Sequence, residues 1–299
     1  MDTLPEAIRR RCERPVAVFG LGVSGRAVVS CLKSYGVACV VYDEGAKDEF
    51  GVRRIFFEAE ARQHDLVVYS PGFTQSHPWL DLARRCGALC LGEMDFASLF
   101  WHGMLVAVTG TNGKTTLTEF LAAALRRCAM EAVAVGNIGR PLSFLPESAR
   151  SRAALAVCEI SSFQAEDLKF LRPQAVLWTN FEEDHLDRYA NMREYFDAKF
   201  NLVRRLRRPR LIVGEQVAQW AQKLGYELPA YTKVITRQRA QEWISPKSYF
   251  TTYPQQENYL IAREYWQSEQ LPLRMLEKTA ENFTGRKHRL APVAEIDGV

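Results

Sequence analysis

Residues 106–116 read VAVTGTNGKTT, an apolar run followed at once by glycines, a lysine and threonines. Leu105–Val108 is apolar enough for a buried strand, TGTNGKTT is a loop, and LTEFLAAALRRC is a helix with apolar residues at Leu117, Phe120, Leu121 and Leu125. Strand, glycine loop and helix in that order build a parallel sheet. The strict phosphate-loop spacing GxxxxGK[ST] is not met, because Val108 stands where its first glycine belongs. The chemistry is still present in Gly110, Thr111, Asn112, Gly113, Lys114, Thr115 and Thr116. Backbone N–H groups and a helix N-terminus cradle phosphates, Lys114 offers a point charge to the terminal ones, and the Thr115 hydroxyl can bind magnesium. The stretch reads as an ATP site with Mg2+; the alternative is a glycine turn that holds no ligand.

Two later stretches add hard ligands. ALAVCEISSFQ is a strand ending in Glu159, which lies near the loop if both strands share a parallel sheet. AVLWTNFEEDHLDRY is another strand, running into a polar loop with Asn180, Asp184, His185 and Asp187. Taken singly, Glu159 reads equally as a surface acid and His185 as a capping or solvent-facing residue. Downstream, NMREYFDAKFNLVRRL carries apolar residues at Met192, Phe196, Val203 and Leu206, and Lys199 occupies the remaining position of that stripe. Its stem could pack while its ammonium reaches outward. Beside a magnesium site, an uncharged amine could instead take up carbon dioxide and become an anionic carbamate ligand.

The N-terminal third has nucleotide-binding logic of its own. Val16–Phe19 is apolar, Gly20, Gly22 and Gly25 form GxGxxG, Ala27–Leu32 can be helical, Ala38–Tyr42 is apolar again, and Asp43 ends it. These glycines let the backbone approach a diphosphate, and Asp43 could accept a bond from a ribose hydroxyl. A tight turn that merely packs helix on strand would show the same glycines. A further strand, DLVVYS, ends in the backbone-rich loop Ser70, Pro71 and Gly72.

The fold class expected is α/β, an N-terminal Rossmann-like domain followed by a P-loop-type parallel-sheet ATPase domain. Composition agrees: of 299 residues 47% are hydrophobic and 25% charged, with a net charge of +4, too weak a basic excess for a dedicated nucleic-acid binder. Apolar stretches are strand-sized and the N-terminus has no signal-length apolar core, so neither membrane spanning nor export is expected, and a cytoplasmic monomer is the default. Seven cysteines form no CxxC pair and read as buried reduced thiols. RRLRRPR from Arg204 reads as a solvated helix end.

The order of motifs resembles the Mur ligases of peptidoglycan synthesis, and among them the branch that adds D-glutamate to UDP-N-acetylmuramoyl-L-alanine. The resemblance rests on GLGVSG with Asp43, SPG, GEMDF, TGTNGKTT, GNIGRP, EISSFQ, DHLDRY, Lys199 and GRKHR. It implies that Gly22, Val23, Ser24, Asp43, Ser70, Pro71 and Gly72 hold the uridine diphosphate of the acceptor, with Asn137 and Ser161 also on the substrate side. It implies that Thr115 and Glu159 hold one magnesium and that His185 with carbamylated Lys199 holds a second, making Lys114, Lys199 and His185 the catalytic set. Asn258, in ENYLIA, matches a family adenine contact, and His288 and Arg289 match interdomain residues that reach the nucleotide. The domains expected are 1–100 for the UDP-substrate, 101–276 for ATP, and 277–299 as the beginning of an amino-acid-binding domain that runs to roughly a hundred residues. The chain is thus expected to be truncated, or completed by a second polypeptide, and inactive alone. The competing readings are an NAD-dependent oxidoreductase using Gly20–Gly25 and Asp43, which leaves the phosphate loop unexplained, and a non-catalytic nucleotide-binding protein.

Overall fold

Apolar runs that each end at a glycine or polar loop become the strands of two all-parallel sheets. The computed structural model describes residues 4–46, 51–144, 151–184, 188–236 and 240–285, so His185, Asp187, His288 and Arg289 lie outside the described residues. The first sheet holds β1 (Val16–Phe19), β2 (Cys39–Tyr42), β3 (Val52–Arg53), β4 (Leu66–Tyr69) and β5 (Leu89–Gly92), in the order β3-β2-β1-β4-β5. The second holds β6 (Met104–Thr109), β7 (Ala132–Gly136), β8 (Leu155–Glu159), β9 (Ala175–Trp178), β10 (Leu211–Gly214) and β11 (Lys233–Ile235), in the order β11-β10-β9-β6-β8-β7. Every pairing between these strands is parallel; an isolated antiparallel bridge joins Gly136 to Arg140.

Parallel sheets need cover on both faces, and β1, β4, β8, β9 and β10 are accordingly buried along their whole length. In the second sheet the two-residue alternation sends Leu105 and Ala107 to one core, with Trp178 and Phe196, and Val106 and Val108 to the other, with Phe120 and Trp266. Helix Met192–Arg204 covers the first face; helices Lys114–Arg127, Gln255–Ser268 and Leu273–Asn282 cover the second. Phe120, fully buried 4.4 Å from the ring of Phe250, contributes about 1.5–3 kcal/mol by leaving water. The expected domain boundary at Glu277 falls inside helix Leu273–Asn282. Its Leu276 and Ala280 are buried in the same core as Leu117 and Phe120, so the central unit reaches past residue 276.

Strand order places a loop of each sheet at a point where neighbouring connections diverge. β1 lies between β2 and β4, and β6 between β8 and β9, so the loops leaving β1 and β6 open into crevices at the carboxyl ends of the strands. The units join through the helix Glu93–Ser98, where buried Asp95 accepts three backbone N–H bonds, from Lys169 (2.9 Å), Phe170 (2.8 Å) and Leu171 (2.7 Å). Glu93, also buried, accepts the N–H of Ser143 at 2.7 Å.

All seven cysteines are free, but Cys39, Cys86 and Cys128 are only half-buried, so the expectation of buried thiols holds for four. The arginine run is a solvated helix end as expected, with Arg204, Arg207 and Arg208 exposed, and several of its members also make contacts. Arg204 pairs with Asp197, Arg205 donates to the carbonyl of Lys169, and Arg210 pairs with Glu269. Among the described residues no helix is long and apolar enough to cross a membrane.

Candidate functional site at the tips of the second sheet

The loop after β6 turns through two glycines that other residues could not replace. Gly110 has φ +147°, and a Cβ there would sit 1.9 Å from Thr179 Oγ1; Gly113, at φ +81°, would bring one within 2.7 Å of the Asn258 side chain. The bare backbone between them is fixed from the tip of β9. Asn180 Oδ1 accepts the N–H of Asn112 at 2.7 Å, and Thr179 Oγ1 donates to the Asn112 carbonyl at 2.6 Å. Helix Lys114–Arg127 begins directly after Gly113, so its first-turn N–H groups and the positive end of its dipole face the loop. Lys114 Nζ folds back to the Thr111 carbonyl at 2.7 Å.

Glu159 ends β8 opposite Val108 in register and opposite Gly136 of β7. The sheet thereby delivers a 2%-exposed carboxylate to the start of the helix. Thr115 Oγ1 donates to Glu159 Oε2 at 2.7 Å, and Asn137 Nδ2 donates to Oε1 at 3.3 Å. Hydroxyl, carboxylate and amide oxygen are the hard donors magnesium prefers, and the glycine cradle beside them suits a polyphosphate. Among the described residues no three His, Cys, Asp or Glu side chains gather into a metal cluster.

Lys199 does not reach outward. It is 1% exposed, its Nζ donates to the Gly110 carbonyl at 2.9 Å, and it lies 4.8 Å from the centroid of the Tyr195 ring. Burial first, and the charge of Lys114 second, hold it well below the ordinary lysine range, which favours the neutral amine. Tyr195, pushed up to about 12 by burial, faces Thr111 Oγ1 at 3.3 Å. Asn258 is fully buried beneath the loop, donating to Gly113 O at 3.2 Å and to Gln255 at 2.9 Å, while its Oδ1 has no hydrogen-bond partner among the described residues. Thr116 is buried in the first turn of the helix.

In the first sheet Gly20 takes φ +86°, and a Cβ on Gly25 would lie 1.8 Å from the Gly20 carbonyl, so these two glycines serve the turn and the close helix packing. Gly22 faces open space, Val23 is 65% exposed and Ser24 is half-buried, leaving the turn accessible to a ligand. Asp43 accepts the N–H of Leu21 at 2.6 Å and of Gly45 at 2.8 Å, so its carboxylate shapes that turn. Ser70 Oγ reaches the Gly20 carbonyl at 3.4 Å, and Gly72 is open. Pro71 lines a small cleft together with Tyr69, Met94, Phe163 and Gln164, which brings the loop after β4 against the segment after β8. Ser161 caps the short helix Ser162–Ala165 in a reciprocal pair with Gln164.

Sequence reading missed Thr179, Glu182, Tyr195, Gln216 and Tyr253, which bind the loop or one another here. Thr179 had a usable signal, since it precedes Asn180 where an apolar strand ends.

A family model described as the Mur ligase middle domain matches residues 108–272. The UDP-N-acetylmuramoylalanine--D-glutamate ligase of Geobacter metallireducens is 38% identical over 202 residues, 62% of this chain and 44% of the relative. That alignment spans less than half of the relative's length. The ligase of the same name from Citrifermentans bemidjiense is 30% identical along 96% of this chain and 71% of its own length. Among solved structures, the UDP-N-acetylmuramate:L-alanyl-gamma-D-glutamyl-meso-diaminopimelate ligase of Neisseria meningitides shares the fold at a TM-score of 0.63 and 15% identity, over 92% of this chain and 99% of that one. The UDP-N-acetylmuramate-alanine ligase of Thermotoga maritima does so at 0.54 and 17%, over 95% and 72%. The oxidoreductase alternative finds no support in these names. Matched by the middle-domain model over more than half its length and by a curated relative along nearly all of it, the chain belongs to the Mur ligase family.

Proposed function

We propose that the chain supplies the acceptor-nucleotide and ATP-binding units of an amide ligase that joins D-glutamate to UDP-N-acetylmuramoyl-L-alanine. The observation carrying this reading is the meeting of Thr115, Glu159 and Asn137 beside Lys114, a polyphosphate cradle with hard oxygen donors on one side. In the proposed reaction the acceptor carboxylate attacks the terminal phosphorus of ATP, the bond to ADP breaks, and an acyl phosphate forms. The amine of D-glutamate then attacks the acyl carbon, phosphate leaves and an amide remains.

The chain's own residues mainly position and neutralise. Loop N–H groups of Gly110–Gly113 and the Lys114 ammonium hold the phosphates, and Asn258 lies on the adenine side. Gly22, Val23, Ser24, Asp43 and Ser70–Gly72 take the uridine diphosphate, and Asn137 and Ser161 face the acceptor. Thr115, Glu159, His185 and Lys199 would hold magnesium, which neutralises phosphate charge when bound. Lys199 joins that set by adding its neutral amine to carbon dioxide with loss of a proton. His288 and Arg289 complete the nucleotide contacts. The proposal takes the reaction to be cytoplasmic, where ATP and uridine nucleotides are available, and to be carried by a monomeric chain with no nucleic-acid or membrane partner.

Calorimetry tests the reading. A non-hydrolysable imido analogue of ATP should bind only with magnesium and lose binding in Lys114→Ala, and UDP-N-acetylmuramoyl-L-alanine should bind in preference to NAD. Preferential NAD binding that depends on Asp43 would overturn it.

A further inference from the structure

Glu182 has no role in the scheme above, yet three elements converge on it. Its Oε2 accepts Asn112 Nδ2 at 2.9 Å; its Oε1 accepts the Tyr253 hydroxyl at 2.8 Å and Gln216 Nε2 at 3.3 Å. Its backbone N–H donates to Thr111 Oγ1 at 3.0 Å. Thr111 and Asn112 are the tip of the phosphate loop. Tyr253 directly precedes Pro254, the cap of helix Gln255–Ser268, and that helix carries Asn258, whose amide returns to the loop at Gly113. The contacts close a circuit: Asn112 to Glu182, Glu182 to Tyr253, along the helix to Asn258, and back to Gly113.

A carboxylate next to a polyphosphate site opposes binding electrostatically, so its position demands a compensating role. Among the described residues, the three side-chain donors on Glu182 are neutral, so its bonds there serve position and not charge pairing. The two oxygens of a carboxylate accept several bonds at once, which lets one side chain hold the loop tip and the segment before the helix simultaneously.

We propose that Glu182 is a positioning residue that couples the phosphate end of the ATP site to its nucleoside end, fixing the loop tip relative to the helix that bears Asn258. This rests on the ATP reading above. A ligand that spans both ends gains from the coupling, because its two halves find their partners already in register; a ligand that touches one end does not.

The test measures binding of three probes with magnesium: the imido analogue of ATP, inorganic tripolyphosphate, and adenosine. Glu182→Ala should weaken the analogue about tenfold, the worth of a hydrogen-bonded charged group, while tripolyphosphate and adenosine each change less than about twofold. Glu182→Gln should recover most of the loss, since the Asn112 amide can turn to meet it. Asn112→Ala and Tyr253→Phe should be non-additive on the analogue in the parent chain and additive in the Glu182→Ala background. Tyr253→Phe, which keeps the ring and its packing, carries the test if Glu182→Ala fails to fold, and should weaken the analogue alone by about threefold. An analogue affinity unchanged in Glu182→Ala and Tyr253→Phe, or tripolyphosphate weakened by the same factor as the analogue, overturns the coupling while leaving the ATP reading intact. Failure of the parent chain to bind the analogue overturns both.

Discussion

The side-chain nitrogen of Lys199 lies 2.9 Å from the carbonyl of Gly110, which makes a buried amine and the first glycine of the phosphate loop one hydrogen-bonded unit. Burial holds that amine toward its neutral form, the form that the proposed addition of carbon dioxide requires. The expected outcome with 13C-bicarbonate and magnesium is a carbamate carbon signal in the NMR spectrum, absent from Lys199→Ala. In an assay of the complete ligase, Lys199→Ala should lose activity and regain part of it with added short carboxylates. A Lys199→Ala variant as active as the parent would return the residue to a packing role.

Gly110→Ala should abolish nucleotide binding and cost about 2 kcal/mol or more of stability. The new methyl would lie 1.9 Å from Thr179 Oγ1 at a backbone angle that side-chain-bearing residues rarely adopt. Urea denaturation and analogue calorimetry check the two halves. Gly22→Ala, facing open space, is the matched control and should leave stability within about 0.5 kcal/mol.

Asp95→Ala removes the acceptor of three backbone N–H groups at the junction of the two units. A loss of about 3 kcal/mol is expected in denaturant unfolding, because those donors are left without their partner in a site largely closed to water. Asp95→Asn keeps one acceptor oxygen and should recover only part. A loss below 1 kcal/mol would show that the segment 169–171 finds water readily.

His64 supplies a pH dependence. It is 2% exposed, its Nδ1–H donates to the Pro15 carbonyl at 2.6 Å and its Nε2 accepts the Tyr42 hydroxyl at 2.8 Å, an arrangement that needs the neutral ring. Burial accordingly holds it below the ordinary histidine value of 6.5. Above that value neither state binds the proton and the contribution is complete. As pH falls below it the unfolded chain is protonated first, and stability is lost until the folded value is reached, at a limiting slope of about 1.4 kcal/mol per pH unit. The melting temperature should therefore drop between pH 7 and 5, and drop less steeply in His64→Gln.

Fold and phosphate loop are legible in the sequence because both are local. An apolar run ending in glycines announces its own strand and turn, and Glu159 is visible as an acid closing such a run. What stays hidden is set by contacts between distant residues. Asn258 packs against Gly113, 145 positions away, and Glu182 meets Tyr253 at a separation of 71. Neither pair leaves a periodicity to read. Helix Leu273–Asn282 illustrates the same limit. Its amphipathic pattern is evident, but only packing decides that it completes the central unit's core instead of opening another. The stripe containing Lys199 sits between these cases: periodicity gives its buried face, but not the Gly110 carbonyl that receives its amine.

The position of β6 between β8 and β9 has a kinetic and calorimetric consequence. The amide of Thr111 bonds the Asn180 carbonyl at 3.1 Å, and that of Asn112 bonds the Asn180 side chain at 2.7 Å, so the tip of the neighbouring strand holds the loop through the protein's own hydrogen bonds. Ordering a loop residue costs about 1–2 kcal/mol in conformational entropy, and here folding has already met that cost. A nucleotide arriving at the site meets a finished mould. Its binding should carry little of the entropic penalty of loop closure, and the Thr111 and Asn112 amides should exchange slowly with solvent deuterium even in the empty protein.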